Sequence, residues 1–595
     1  MAGENTQERV IPVPGSLDYT EVEIYVNGSR VKESAYTLQS VTINREVNKV
    51  PTARILIMDG DAAAEKFAVS ESADFIPGNK IQLKISQGGK AQSLFEGLIV
   101  KHAIRASENG GACLLLDCRD ACVKLTLGRK NKYFENVKDS DAISTVLQAA
   151  GVSGNVKATD VTHKELVQYY CTDWDFILSR AEVNSRLVLV NDGKVDVIAP
   201  ELAASPVLTL IYGATIEEME MEMDARTQWQ QVNAAAWDYA GQALASSDAQ
   251  GDPFKAPGNL SGSELAKAVS PADFQLRHSG LLSTAELKAW ADACLLKSRM
   301  SQVRGRVKIK GSPLVKPGDT IALKGMGNRF NGLVFITGVR HEHGDGVWVT
   351  QLQIGLSPGW FHQQEDIVET PAAGLLPAVQ GLQIGVVVQL ENDPDGEHRI
   401  LVKLPLVDNQ AKGTWARTAS LDAGNNRGFF FRPEIGDEVI VGFVNEDPRF
   451  AVVLGMLHSS NKVAPLTAQD TNHIKGLVTR SQMKVMYDDE NKVMQLETPA
   501  GNKIALSEQD QTVNITDQHG NSIKMESGGI TIKSIADITL EAAGKMTLKA
   551  TGDFSATGAT MKLSSQATME MNAQATAKLS ASAMLELKGG IIKIN

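Results

Sequence analysis

Ile530-Thr531-Ile532, Ile538-Thr539-Leu540, Met546-Thr547-Leu548, Phe554-Ser555-Ala556, Met561-Lys562-Leu563, Met569-Glu570-Met571, Ala577-Lys578-Leu579, Leu585-Glu586-Leu587 and Ile592-Lys593-Ile594 form one series. Successive first members are 8, 8, 8, 7, 8, 8, 8 and 7 residues apart. Apolar residues two apart share one face of a strand, and the polar residue between them points the other way. A period of eight leaves room for one short strand and a turn of small residues. A fixed short period is the signature of a solenoid, whose units cannot bury a face alone.

The composition changes with the pattern. Beyond residue 456 only Tyr487 and Phe554 are aromatic, none of the 7 tryptophans remains, and 10 of the 17 methionines lie at or after Met456. A thick globular core needs bulky rings, so this segment must bury small and flexible side chains around something narrow. A single-chain parallel β-helix has longer coils than eight residues. Three identical chains wound into a triangular prism fit better, because each apolar face meets two copies on the axis and the strand edges are covered. Ile530, Ile532, Ile538, Leu540, Met546, Leu548, Met569, Met571, Leu585 and Leu587 are then axial residues of a needle over 526–595. Its 7 Lys and 6 Asp/Glu leave the outer face polar and nearly neutral. Before Ile530 the pattern persists more loosely at Met494/Leu496, Ile504/Leu506, Val513/Ile515 and Ile523/Met525, in a segment read as a neck over 463–525.

Upstream, 382–462 alternates as five short strands: Ile384–Val388, His398–Leu404, Trp415–Ala419, Glu438–Phe443 and Ala451–Gly455, with Asp393-Pro394-Asp395-Gly396 as a turn. Five strands in so short a span suit an OB-fold barrel. Binding of single-stranded nucleic acid needs exposed aromatics in a basic groove. The chain carries a net charge of −11, and the Phe429-Phe430-Phe431 cluster reads as core plus turn, so nucleic acid is not an expected partner.

The run Gly428–Val439, with Asp447-Pro448-Arg449-Phe450, resembles the VgrG spike family, itself similar to the hub and spike proteins of contractile phage tails. Lys475–Ser481 and Thr498–Ile504 resemble that family's neck leading into its β-prism needle, and Thr172–Leu178 resembles a motif of its hub. The resemblance implies a mainly β fold: two hub β-barrels with helical insertions over 1–370, a linker at 371–381, the OB-fold domain, the neck and the trimeric β-helical prism. It also implies a structural function, the central spike of a contractile injection system that joins a hexameric inner tube to an envelope-piercing needle. The partners implied are an inner tube protein, baseplate proteins, cargo effectors and a PAAR-repeat tip protein seated on Gly589, Gly590, Ile591, Ile592, Lys593, Ile594 and Asn595.

The N-terminal part holds a concealed repeat. Pro77-Gly78-Asn79-Lys80-Ile81-Gln82-Leu83-Lys84, Phe95-Glu96-Gly97-Leu98 and His102 are echoed by Pro317-Gly318-Asp319-Thr320-Ile321-Ala322-Leu323-Lys324, Phe330-Asn331-Gly332-Leu333 and His341. Each Pro-Gly sets a turn into a strand, and each Phe-x-Gly-Leu is read as opening the next strand. Two similar barrels per chain make six in a trimer, pseudo-sixfold towards a tube and threefold towards a needle. Between them, Asp139-Ser140-Asp141 is positioned to cap a helix over Ala142–Ala150 that ends at Gly151, and Thr172-Asp173 to start one near Trp174–Val183. Gly241–Leu282 reads as a long exposed loop, and Thr284–Ser301 as a third helix.

No catalytic motif appears. His341-Glu342-His343 is the only tight His/acid cluster; it lacks a third metal ligand and reads as a surface or interface strand. Asp488-Asp489 reads as a solvated turn. The 5 cysteines fit no zinc spacing and indicate a chain kept reduced and made in the cytosol. Met1–Arg9 has no signal-peptide character. The expectation is a non-enzymatic protein without cofactors, assembled into a particle that is released or delivered into a target cell. The competing reading, a trimeric β-helical tail spike or adhesin acting on polysaccharide, calls for a carboxylate pair or aromatic shelf on the needle, which is aromatic-poor.

Overall fold

The computed structural model describes residues 20–594 apart from 88–89, 109–110, 270–272, 365–366, 408–409 and 411. The chain falls into two units, 1–455 and 456–595. Both are mainly β.

The N-terminal unit is organised by one 13-stranded sheet. Its first half contributes β1 (Glu21–Val26) with the two-residue strand Ser29–Arg30 beside it, β2 (Thr37–Glu46), β3 (Thr52–Met58), β4 (Lys80–Gln87), β5 (Lys90–Ser107) and β6 (Gly111–Arg119). Its second half contributes β7 (Thr209–Ile211), β8 (Glu218–Met223), β9 (Val303–Lys310), β10 (Thr320–Lys324), β11 (Gly332–Gly344) and β12 (Val347–Ile354). The order β2-β3-β6-β5-β4 recurs as β8-β9-β12-β11-β10, so five strands repeat in the same sequence and the same neighbourhood. β1 and β7 flank β4 and β10 in opposite directions, antiparallel in the first half and parallel in the second. The two related units are fused where β2 pairs with β11, and each half keeps its own apolar core.

The Pro-Gly signatures occupy equivalent places. Gly78 and Gly318 both take positive φ, +102° and +95°, where a side chain is strained. Gly78 N–H donates to Ile99 O at 2.8 Å and Gly318 N–H to Ile336 O at 2.8 Å; Ile99 and Ile336 donate back to Asn79 and Asp319. The Phe-x-Gly-Leu half of the signature is two residues out of register. Leu83 faces Phe95, whereas Leu323 faces Gly332, so Phe95 corresponds to Gly332 and Leu98 to Phe335. Phe330 lies before β11, in a short helical turn, and Phe95 lies in mid-strand. A bulge follows at the same place in each half, between Ile99 and Lys101 and between Ile336 and Gly338.

The insertions pack as two further layers. α1 (Asp139–Ala149) and α2 (Asp173–Glu182) share a core with the hairpin Leu187–Asn191/Lys194–Ile198. The α2 start is as read, with a reciprocal cap between Thr172 and Asp175. The α1 start is not: Lys138 holds the cap position without a side-chain bond, and Asp139 is drawn into the interior. Gly241–Leu282 is no long loop. Ala243–Gln250 and Asp273–His278 pair on either side of Gln231–Asp238, with a helix at Gly262–Val269 between them, and α3 (Thr284–Met300) covers that sheet. Small Ala residues let the helix approach the sheet closely, and Trp229 stacks on Phe274 at 4.5 Å.

The five strands read over 382–462 form a closed barrel: Gln383–Gln389, Ile400–Lys403, Thr414–Thr418, Glu438–Phe443 and Ala451–Met456. Val402, Ala416, Val439, Val441 and Val453 fill its interior with no exposure. Phe429, Phe430 and Phe431 are not core: they are 54%, 79% and 55% exposed. The second unit begins with a seven-stranded antiparallel meander over 474–533.

Candidate functional site

Each strand of the meander is five residues long, and consecutive strands pair in register, which lines up their alternating side chains across the sheet. Leu477, Val485, Leu496, Ile504, Ile515, Ile523 and Ile532 are successive cross-strand partners and form one apolar row. Tyr487, Met494, Leu506, Val513, Met525 and Ile530 form a second row two residues away, hence on the same face. Met486, Gln495, Ala505, Asn514, Lys524 and Thr531 occupy the opposite face. Among the described residues of the chain nothing covers the apolar rows: Leu496, Ile504 and Leu506 are about 40% exposed, and Ile532 reaches 60%. A groove of about 890 Å³ runs along the first row and continues past Ile532 to Ile538.

Ile530 and Ile532, read as the first needle rung, are thus the last strand of the meander. Beyond them, among the described residues, 534–594 form no strand within the chain. Ile538, Leu540, Met546, Leu548, Met569, Met571, Leu585 and Leu587 all lie on this extended segment and are exposed. An extended segment that pairs with no other described strand of its own chain leaves its amides without backbone partners and its side chains uncovered. At the tip Gly589, Gly590, Ile591, Ile592, Lys593 and Ile594 are also exposed, and Asn595 lies outside the described residues. The reading of the sequence missed Leu477 and the Val485/Tyr487 pair. Met486 between the latter two is itself apolar and hides the alternation.

The polar clusters of the N-terminal unit are structural in form. Asp139 is buried and accepts from Arg180 Nε at 2.5 Å, His163 Nε2 at 2.9 Å and Asn184 Nδ2 at 2.8 Å. Burial alone raises its carboxyl, but the bonds from His163 and Arg180 outweigh burial and hold it well below the usual carboxylate range. His163 also meets Glu286 at 3.1 Å, which ties α1 to α3. Arg299 is fully buried and donates to Asp252, the Trp229 and Gly251 carbonyls and Gln228. His341 is not a surface residue. It is 6% exposed, bonds Thr350 Oγ1 at 3.0 Å, and burial, helped by Arg45, pushes its imidazole down to about 3. His343 is half-buried and reaches Thr20 O at 3.1 Å. Among the described residues no three His, Cys, Asp or Glu side chains are grouped to hold a metal. Burial pushes the thiols of Cys118 and Cys294 up to about 12, far from nucleophilic. Asp488 closes a tight turn onto Asn491, and Asp489 pairs with Lys475.

Among the described residues no helix is long and apolar enough to cross a membrane.

Two protein families match this chain. The Alg8 N-terminal domain matches residues 16–345, and the type VI secretion system/phage-baseplate injector OB domain matches residues 383–458. Among curated proteins, the actin cross-linking toxin VgrG1 of Vibrio cholerae is 28% identical over 136 residues, which is 22% of this chain and 12% of that protein. The chain therefore matches only about an eighth of that relative's length. Among solved structures, a tail protein from Neisseria meningitidis covers 57% of this chain and 98% of its own at 15% identity and a TM-score of 0.44. An Escherichia coli type VI secretion component, described as similar to bacteriophage T4 tail proteins gp27 and gp5, covers 73% and 99% at 13% identity and a TM-score of 0.37. A Francisella PdpA–VgrG complex covers 86% and 79% at 8% identity and a TM-score of 0.36.

Proposed function

Since the chain belongs to the Alg8 N-terminal domain family and its residues 383–458 match the injector OB domain, we propose that it is a VgrG-type spike or hub of an injection system, a non-enzymatic homotrimer that joins a hexameric inner tube to a trimeric needle. The observation that carries this reading is the double apolar row of the meander, continued by the eight-residue series. Burying a Leu, Ile or Met side chain is worth about 1.5–3 kcal/mol, and one chain leaves more than a dozen of them uncovered on one face. Winding three chains about a common axis buries that face, pairs the open strands and leaves the polar face outside.

In this assembly the duplicated N-terminal halves meet the tube, six units facing six. The exposed Phe429–Phe431 cluster beside the barrel is available to copies or baseplate proteins. The tip at Gly589–Asn595 seats a PAAR-type cap, with Ile592 and Ile594 in the contact and Lys593 turned outward. Cargo effectors travel with the spike into the target. Light scattering on the full chain and on residues 1–462 tests the reading. The expected result is a trimer for the full chain and a smaller species for the truncated one. A monodisperse full-length monomer overturns it. Recovery of a PAAR protein with the full chain, and its loss after truncation at Lys588, tests the tip.

A further inference from the structure

We infer that the charges on the outer side of the eight-residue series form ladders of ion pairs between copies of this chain, and that their order of signs fixes which rung of one copy lies against which rung of the next. The inference rests on the homotrimer proposed above and adds to it a contact that the apolar face does not supply.

Beyond the meander the backbone bends at 535–536, 543–544, 551–552, 559, 566–567, 574–575, 582–583 and 590–591. The segment is thus a string of rungs, each carrying one apolar pair of the series. Residues before, between and after the pair point away from it, so Asp537, Thr539 and Glu541 lie opposite Ile538 and Leu540. On this outer side the sign of the charge changes at every rung. Lys533 is followed by Asp537 and Glu541, these by Lys545 and Lys549, and these by Asp553. The order continues through Lys562, Glu570, Lys578, Glu586 and Lys593. Of the 12 charged residues after Gly529 only Lys588 departs from it, and Lys588 meets Glu586 of its own rung at 2.5 Å. An outer face that needs only to be wet accepts either sign at each position, so solvation does not account for the order. Among the described residues no ion pair within the chain holds Lys562, Glu570 or Lys578.

Three copies about one axis place equal rungs at equal height on three different faces. The strand stacked on a given rung, about 4.8 Å along the axis, is therefore an unequal one, and the nearest in height is the next rung of a neighbouring copy. In that stagger Asp537 faces Lys545, Glu541 faces Lys549, and Lys562, Glu570, Lys578 and Glu586 each face their successor in the series. Opposite charges across strands stabilise a pairing, and like charges oppose it. Equal rungs side by side, or a stagger of two, bring like signs together along the series. The apolar pairs resemble one another from rung to rung and tolerate a slip of one repeat; the charges do not. One exposed ion pair is weak and screened by salt. Here each pair recurs on three faces, and each inner charge of the Lys562–Lys593 ladder has an opposite neighbour on both sides. The partner this surface selects is a second copy of this chain, because another chain with a different order of signs meets it with like charges.

The stagger and the charges are tested separately in the full chain. Thr539→Cys/Thr547→Cys, with Cys113→Ser and Cys171→Ser to remove the half-exposed native thiols, places thiols on two successive rungs without touching a charge. A short bis-methanethiosulfonate reagent is expected to give covalent dimers and trimers on a denaturing gel, and several-fold less from Thr539→Cys/Ser555→Cys, two rungs apart. Glu570→Lys sets three like charges in a row on each face. It is expected to lower the melting temperature of the trimer by a few degrees at low ionic strength, and by less at about 1 M salt, where the charges are screened. Reversing all 6 charges from Lys562 to Lys593 restores the alternation and is expected to restore the melt. A trimeric chain with no crosslink from the successive-rung pair, or with equal yield from the two-rung pair, overturns the stagger and leaves the apolar needle standing. Unchanged melting of Glu570→Lys, or a six-charge reversal that melts as low as Glu570→Lys, overturns the ladder. A chain that light scattering shows to be monomeric overturns both the ladder and the trimer.

Discussion

The barrel at 383–456 and the meander at 474–533 are built from strands of similar length with the same alternation of apolar and polar residues. In the barrel the first strand pairs with the fourth and the third with the last, and Val402, Val439 and Val441 are completely covered by their own chain. In the meander each strand pairs only with its sequence neighbours, so among the described residues the sheet has two free edges, and Ile504 and Leu506 stay about 40% exposed. Alternation specifies a strand and its faces. It does not specify closure, which needs long-range pairings: in the barrel these are Gln383–Gln389 with Glu438–Phe443 and the parallel contact of Thr414–Thr418 with Ala451–Met456. A region that closes on itself owes its stability to one chain; in the assembly proposed above, a region that does not owes it to copies.

The largest expected effect breaks the open region. Leu548→Asp or Met571→Asp brings three like charges together on an axis without partners. Light scattering is expected to show the trimer lost, while Thr547→Asp, on the opposite face of the same strand, keeps it and melts like the parent. Equal melting of all three variants means the facing of the strand is wrong.

Next in size is a matched pair of substitutions. Val402→Asp buries a charge inside the barrel of a single chain and is expected to cost about 3–5 kcal/mol at any protein concentration. Ile504→Asp leaves the isolated chain nearly unharmed and acts only where copies meet. Thermal melts over a wide concentration range separate them: the Val402→Asp loss is constant, and the Ile504→Asp loss is greatest where the parent is fully assembled. Concentration-independent losses for both contradict the distinction drawn between the two regions.

The smallest effect is set by pH. His341 stays neutral in the fold, its imidazole held near 3, while the unfolded chain takes up a proton near 6.5. The unfolded state then binds more protons, so this contribution is complete above about pH 6.5 and is lost as pH falls towards 3. The slope is at most about 1.4 kcal/mol per pH unit. His341→Gln is expected to flatten the stability profile of the N-terminal unit between about pH 6 and 4, and denaturant melts at several pH values measure it. Asp139, held below the usual range by His163 and Arg180, adds a further loss that sets in as the pH falls through the usual carboxylate range, where the unfolded chain takes up a proton that the folded carboxylate does not.

Much of this molecule was legible without coordinates, and the failures have physical causes. The five barrel strands and the helix start at Thr172 depend on residues close in sequence, and the sequence reading places both. Gly241–Leu282 looked like a loop because Gly, Ser and Asp dominate it. Its order comes from pairing with Gln231–Asp238 and from Arg299, whose buried guanidinium reaches Asp252. Asp139 resembled a helix cap because its three partners lie 24 to 45 residues away. Phe330 resembled Phe95 because four residues matched locally, whereas backbone pairing places Gly332 there.

The sequence by itself determined which residues alternate, that the last part repeats every eight residues, that its apolar face exceeds what one chain can cover, and that two N-terminal segments share an origin in pattern. These are properties of neighbours along a chain, where the strand period of two and the turn chemistry of glycine and proline act directly. Only the tertiary structure decided which sheet closes, in what register the repeat superposes, and which edges remain open, because each depends on hydrogen bonds between residues far apart, which local pattern leaves free.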